Sequence, residues 1–287
     1  MNDSDKLKYI LQNYWLWNLI NFHLIDFTID NQNFLVETGK WRIFLKIFSS
    51  KDIGYIEFHN NVLSYLKKNW LKVPWVILYK DSTVFGSEFG LVSIYEFMHW
   101  THLEEMSVDL TNDLWKNIWL IHQYLLNYKS WIKKYQRCYS KKNLWNCDTT
   151  KLRKSLVHWD LWNLNILVDD DKTISWIIDF GDIHYDYLVS DIWTIFADIF
   201  MQEKRSNFIK IFMEGYKSYI CLNQTELDSI YYFIEQRLKW ALHRINEKLQ
   251  IEKNPDKIFH LKKNIKNTNI KLIYLYDLWI NGLKKLL

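Results

Sequence analysis

The spacing of apolar residues divides the chain into a strand-rich first third and a helix-rich remainder. Residues 5–21 read as a helix. The stretch NFLVETGKWRIFLKIF at 33–48 alternates with the period of a strand on either side of a Thr-Gly turn, predicting a hairpin. Ile53, Ile56, Val62, Leu63 and Leu66 mark an approximate helical stripe over 52–69. Two further strands are expected in WVILY at 75–79 and GLVSIYEF at 90–97. Residues 109–136 read as a helix. Beyond a polar-rich stretch at 157–182, long helical patterns run over roughly 189–220, 225–250 and 255–286. Strands first and helices afterwards predict two lobes joined near 96–102.

Composition narrows the setting. With 287 residues, 49% hydrophobic and 24% charged, the chain is globular rather than disordered. The charge excess, 37 basic against 33 acidic residues, is mild and spread out, which argues against a nucleic-acid partner. Cys138, Cys147 and Cys221 have neither a disulfide-like count nor metal-ligand spacing. The apolar run YWLWNLINFHLI is interrupted by Asn and His and is too short to span a bilayer. No membrane partner and a cytoplasmic location are therefore expected. The residue usage is also skewed: Ala, Gly and Pro are scarce, as in an AT-rich gene, yet there are 16 Trp. Reading of UGA as Trp, with some glycine codons drifted to Trp, reconciles the two.

The chemistry concentrates in one stretch. VHWDLWNLNIL, residues 157–167, sets His158, Asp160 and Asn165 in the pattern H-x-D-x-x-x-x-N, just before an apolar run. After VDDDKT, which reads as a hairpin turn, WIIDFGD places Asp179 at the end of a second apolar run. Such a hairpin would bring Asn165 and Asp179 together at its open end. Phosphoryl transfer needs one carboxylate to accept or orient a hydroxyl proton, which fits Asp160. It also needs oxygen ligands for Mg²⁺, which fits Asn165 and Asp179. Kinases use the same Asp-to-Asn spacing followed by D-F-G.

Those two segments resemble the motif pair of the aminoglycoside phosphotransferase and choline kinase superfamily. DNQNFLVET at 30–38, IIDFGDIHYDYLVSDIW at 177–193 and GYKSYICLNQTELDSIYYFIEQRL at 215–238 are similar to the hydroxylysine kinase and homoserine kinase-like branch. The resemblance implies an α+β, protein-kinase-like two-lobed fold. A small antiparallel-sheet, nucleotide-binding N-lobe would span 1–97, and a larger helical C-lobe with the catalytic loop and acceptor site 98–287. It implies a kinase moving the γ-phosphate of ATP or GTP, with Mg²⁺, to a hydroxyl of a small amino alcohol or amino acid. An aminoglycoside- or choline-type acceptor, and a degenerate nucleotide-binding pseudokinase, are the alternatives.

Asp160 and His158 then become the catalytic candidates, His158 as an orienter of the loop. Lys46 in FLKIF matches the lysine that contacts the α- and β-phosphates, and Glu57 its ion-pair partner. Backbone amides of residues 29–34, Asn31, Gln32 and Asn33 among them, would cover the phosphates. Tyr95, Glu96, Phe97 and Met98 would form the hinge beside the base. Asp182, Asp191 and Arg237 are candidates for the acceptor pocket, Arg237 as partner of a substrate carboxylate. Trp159 and Trp176 stand where these families commonly have Gly. A bulky side chain at 159 is expected to fit only with a negative φ.

Overall fold

The computed structural model describes residues 2–16, 18–25, 31–50, 52–99, 101–128, 149–200 and 206–281. Cys138, Cys147, the segment 129–136 of the helix expected over 109–136, and residues 29–30 of the expected phosphate-covering stretch 29–34 lie outside them. The chain forms two compact units, Met1–Thr101 with Ser175–Gly181, and His102–Ile174 with Asp182–Leu287.

The first unit is built on an antiparallel sheet. Helix α1 (Asp3–Asn13) precedes strands β1 (Leu19–Ile25), β2 (Asn31–Thr38) and β3 (Arg42–Phe48). Helix α2 (Ile53–Lys68), β4 (Val76–Ile77), β5 (Phe85–Ser87) and β6 (Gly90–Glu96) follow. The strand order is β1-β2-β3-β6-β4, with β5 on β6. Thr38 closes the β2–β3 turn: its Oγ1 accepts from the Trp41 amide and donates to the Trp41 carbonyl. Alternation along β3 assigns the faces. Ile43, Leu45 and Ile47 join Phe34, Val36, Val92 and Ile94 in a core closed by Leu7, Ile10 and Leu11 of α1. Lys46 therefore points to the opposite face, where Asn60 of α2 donates to Ser93 and accepts from Tyr95.

The helix expected over 5–21 is shorter than the apolar pattern suggests. Trp15 and Asn18 take left-handed φ values of 60° and 73°, and the Leu16 amide donates back to the Leu11 carbonyl. The chain thus turns and continues as β1, paired with β2 from Leu19↔Thr38 to Ile25↔Asn33. Apolar residues at 19–25 serve a strand because β2 offers a ladder of backbone partners that an isolated helix end lacks.

The second unit is mainly helical. After a short β7 (Thr101–His102) come α3 (Val108–Asn127), β8 (Lys154–Val157) and β9 (Ile166–Val168). β10 (Ile174–Ile177), most of which belongs to the first unit, β11 (His184–Tyr187) and α4 (Ser190–Ile195) follow. Next come α5 (Ser206–Lys217), α6 (Gln224–Ile251) and α7 (Pro255–Asn281). The expected turn at 169–173 is present: the Asp169 amide donates to the Thr173 carbonyl, and the Asp169 carboxylate accepts from the Thr173 amide and hydroxyl. The pattern over 189–220 is not one helix. After α4 the backbone widens into a π-helical turn, Phe196–Phe200, before α5. A capping box of Asn223 and Glu226 starts α6, and the buried Glu226 carboxylate also takes the Arg153 guanidinium at 2.7 Å. β8 and β11 pair antiparallel, His184 opposite Val157, which holds the segments before and after the motif stretch side by side.

Candidate active site

In the first unit, Lys46 Nζ lies 3.0 Å from Asp179 Oδ1, with the lysine side chain 10% exposed and the aspartate 44%. Asp179 has φ 60°, a left-handed turn that aims its carboxylate at Lys46. Gly181 leaves the room for it, since a Cβ there would stand 3.2 Å from Asp179 Oδ1. The Gly181 carbonyl accepts from Tyr55 of α2 at 2.8 Å. Trp176, the other unusual tryptophan, lies in β10 and spreads its ring under the Lys67 ammonium, 4.0 Å away; no left-handed backbone is required there.

Several expectations for this unit change. The ion pair of Lys46 is with Asp179, whereas Glu57 accepts from the Ser82 hydroxyl. The residues of α2 turned toward Lys46 lie elsewhere on its circumference, at Tyr55 and His59. Asn31, Gln32 and Asn33 are not an open loop: they belong to β2, opposite Phe48, Ile47 and Lys46. The Asn31 side chain accepts from the Ser49 amide, Gln32 from Lys6, and Asn33 is buried on the same face as Lys46. Tyr95 and Met98 turn their side chains into the protein, and Glu96 pairs with Lys67. Phe97 lies under the Arg42 guanidinium. A nucleotide base beside 95–98 would meet backbone groups rather than the side chains of Tyr95 and Met98. His59 was not singled out from sequence. It is buried, packs on Phe48 and Tyr55, and is held neutral down to a pKa of about 3, by burial first and then by the Lys46 charge.

In the second unit the motif residues meet. Asn165 sits on a 3-10 turn at the start of β9 and donates Nδ2 to the Asp160 carbonyl at 2.8 Å and to Asp160 Oδ2 at 3.1 Å. Its Oδ1 is thereby left as an oxygen donor. The other Asp160 oxygen takes Arg237 Nη2 at 3.2 Å. Burial raises the Asp160 carboxyl, and the Asp182 charge adds to this, while Arg237 and His158 oppose it. A carboxylate with raised basicity that remains 30% exposed suits acceptance of a hydroxyl proton.

His158 is fully buried; its Nδ1 accepts from the Asp160 amide at 3.3 Å and its own amide donates to Asp191. It orients the loop from behind. Asp191, expected in the acceptor pocket, is fully buried and cannot reach an acceptor. Its carboxylate accepts the backbone amides of His158 at 2.9 Å and Trp159 at 2.6 Å, and pairs with His122 Nε2 at 3.0 Å. His122 Nδ1 in turn meets the Tyr216 hydroxyl at 2.6 Å. Burial alone would raise the Asp191 carboxyl; the bonds and charges around it bring it below the usual range.

Trp159 overturns the expectation of a negative φ. It takes φ 68° with its indole intact. The ring lies under the Arg237 guanidinium at 5.3 Å, with His184 and Trp240 against it. Arg237 also bonds Asp198 through Nε at 3.2 Å and Nη2 at 3.0 Å. Asp198, on the π-helical turn, has no motif to mark it in the sequence. Among the described residues no cluster of three or more His, Cys, Asp or Glu is placed to hold a metal. Asn165 and Asp179 are hard-oxygen donors of the kind Mg²⁺ takes together with phosphate and water.

The fold defines a class: the chain has a protein-kinase-like architecture shared with small-molecule phosphotransferases. It aligns with a microcompartment-associated aminopropanol kinase over 99% of this chain and 100% of that one, TM-score 0.75, at 17% identity. An amicoumacin kinase, solved with AMP-PNP, Ca²⁺ and amicoumacin, aligns over 94% and 96%, TM-score 0.71, at 18% identity. A spectinomycin phosphotransferase solved with ADP and spectinomycin covers 94% and 98%, TM-score 0.71, at 13% identity. In sequence, residues 136–228, which include both motif segments, match the model of the phosphotransferase enzyme family APH. The matched residues are about a third of this chain. A homoserine kinase of Burkholderia mallei (strain SAVP1) is 30% identical over 90 residues, 31% of this chain and 27% of the relative. The matched stretch thus spans about a quarter of the relative's length. No helix among the described residues is long and apolar enough to cross a membrane.

Proposed function

We propose that the protein is a kinase that transfers the γ-phosphate of ATP or GTP to the hydroxyl of a small amino acid or amino alcohol, homoserine- or hydroxylysine-like. The observation that carries this reading is the Asp160 carboxylate, fixed at one oxygen by Asn165 and at the other by Arg237. The first unit would hold the nucleotide, with Lys46 on its phosphates, and the second the acceptor. Arg237 beside the acceptor base favours a substrate with a carboxylate over the polycations that an acidic pocket selects.

In this mechanism the acceptor oxygen forms its bond to the γ-phosphorus while the bond to the β-phosphate oxygen breaks, leaving a nucleoside diphosphate. The hydroxyl proton passes to Asp160. Lys46 gives up Asp179 for the phosphates, a partner of greater charge, and fixes the donor. When bound, Mg²⁺ would neutralise phosphate charge, with Asn165 and Asp179 as its oxygen donors. His158 and Asp191 keep Asp160 in place without touching substrate.

The test is nucleotide consumption with Mg²⁺ and either ATP or GTP. Acceptors are 5-hydroxylysine, homoserine, choline, ethanolamine and kanamycin. Turnover on a hydroxyl amino acid, lowered about 10²–10⁴-fold by Asp160→Asn, is the expected result. Turnover confined to kanamycin or choline would replace the acceptor assignment. No turnover and no Mg²⁺-nucleotide-dependent thermal shift would refute the kinase reading.

A further inference from the structure

The second unit contains a cation for which the mechanism so far has no use. Lys271, on α7, is largely enclosed, its side chain 18% exposed. Its Nζ donates to the carbonyls of Ala197 at 3.0 Å and Asp198 at 3.4 Å, both on the π-helical turn. Among the described residues its nearest carboxylate oxygen is Asp198 Oδ1, at 4.0 Å. That carboxylate is already engaged at Oδ2 by both Nε and Nη2 of Arg237. A largely enclosed ammonium held by carbonyl dipoles and a distant, shared carboxylate is under-neutralised. Burial and the neighbouring Arg237 charge both work against its charged form.

Two cations therefore converge on one carboxylate, Asp198, while Arg237 reaches over to the second, Asp160, at 3.2 Å. Asp160 and Asp198 are 30% and 25% exposed, so the cluster is open to solute. An added carboxylate would complete the charge balance of Lys271 and offer Arg237 the bidentate geometry that guanidinium groups favour. The widened turn at 196–200 presents the carbonyls that aim Lys271, and such π-helical turns are frequent at functional sites.

We propose that Lys271 is a specificity-determining residue that, together with Arg237, receives the carboxylate of the acceptor. Asp198 is the resting counter-ion of both cations, and an incoming carboxylate competes with it. As the ligand takes Arg237, the grip of Arg237 on Asp160 loosens and the base is released to the hydroxyl. This deepens the amino-acid kinase reading and rests on it for the phosphoryl step, whereas carboxylate binding stands independently.

The experiment is titration calorimetry of the full chain, without nucleotide, with L-homoserine and 3-aminopropan-1-ol. These ligands share the hydroxyl and amine and differ by the carboxylate. Wild type should bind homoserine at least about tenfold more tightly, the scale of one charge-assisted bond. Lys271→Met should remove most of that ratio and Lys271→Arg should keep it. Asp198→Asn should increase the ratio, because the competitor for the two cations is gone. Lys271→Gln, checked for native near-UV dichroism, replaces the Met variant if that one does not fold. Equal affinity of wild type for the two ligands, or no binding of either, overturns the proposal. So does an unchanged ratio in a folded variant without the Lys271 charge. Turnover separates the two readings. Selective homoserine binding without phosphate transfer from ATP or GTP sinks the kinase reading and leaves this one standing. Transfer with equal kcat/KM on both ligands does the reverse.

Discussion

Replacement of Trp159 by both alanine and glycine separates what its backbone costs from what its ring contributes. At φ 68° every residue with a Cβ is strained, by about 1–2 kcal/mol for L-residues in the left-handed region. The surroundings enforce the conformation: the Trp159 amide is held by buried Asp191 at 2.6 Å. The ring offsets part of the strain through its contact with Arg237, about 0.5–2 kcal/mol for a partly desolvated cation–π pair. Trp159→Ala loses the ring and keeps the strain. Trp159→Gly loses both, and loosens the unfolded chain by about 0.4–1 kcal/mol relative to alanine. The glycine variant should therefore be the more stable of the two by about 0.5–1 kcal/mol, the reverse of the usual order.

Thermal unfolding of the two variants side by side reads this as a difference of roughly 1–4 °C in Tm. Urea titration supplies a second measure, with equal slopes as the check that both variants expose the same surface on unfolding. An alanine variant as stable as the glycine variant, or more so, would refute the reasoning. It would mean that residue 159 does not adopt a left-handed backbone in solution, and that Asp191 does not impose one.

Three further outcomes concern other groups. A Cβ at Gly215 would stand 2.3 Å from the Trp115 ring, so Gly215→Ala should lower stability by about 1–3 kcal/mol, read as a Tm loss with substrate KM unchanged. His59 has a folded pKa of about 3 against an unfolded value near 6.5, so the unfolded state binds the extra proton between those limits. The stability from neutral His59 is complete above pH 6.5 and should fall by up to about 1.4 kcal/mol per pH unit below it. A His59→Leu variant that shows the same acid slope would contradict this. Asp191→Asn leaves the amide group facing donors of the loop and of His122, and should destabilise by about 3–5 kcal/mol; a loss below 1 kcal/mol in urea unfolding would show that the buried network is not taut.

The pattern of apolar residues revealed what depends on local period and little else. The β2–β3 hairpin, α2 and the turn at 169–173 needed only alternation, a helical stripe and turn residues. Failures occurred where a partner distant in sequence decided the outcome. Residues 19–25 continue an apolar helix-like run, and only the ladder offered by β2 makes them a strand. Asn31–Asn33 have a polar, loop-like composition, yet their backbone is claimed by β3.

The candidate site divides on the same line. Asp160 and Asn165 are five residues apart and were marked by their spacing as one motif, and they are hydrogen-bonded to each other. Asp191 was close in sequence to the motif and therefore drew a substrate role, but burial makes it the anchor of the loop that carries Asp160. Asp198 and Lys271 were invisible, because a lone acid and a lone base 73 residues apart carry no pattern until α7 brings them together. Trp159 shows the limit from the other side. Its identity suggested a loop unable to adopt the glycine conformation, whereas two hydrogen bonds from neighbouring backbone amides to one buried carboxylate suffice to hold it. What a position must do is thus fixed less by its own residue than by the strongest group that binds its backbone.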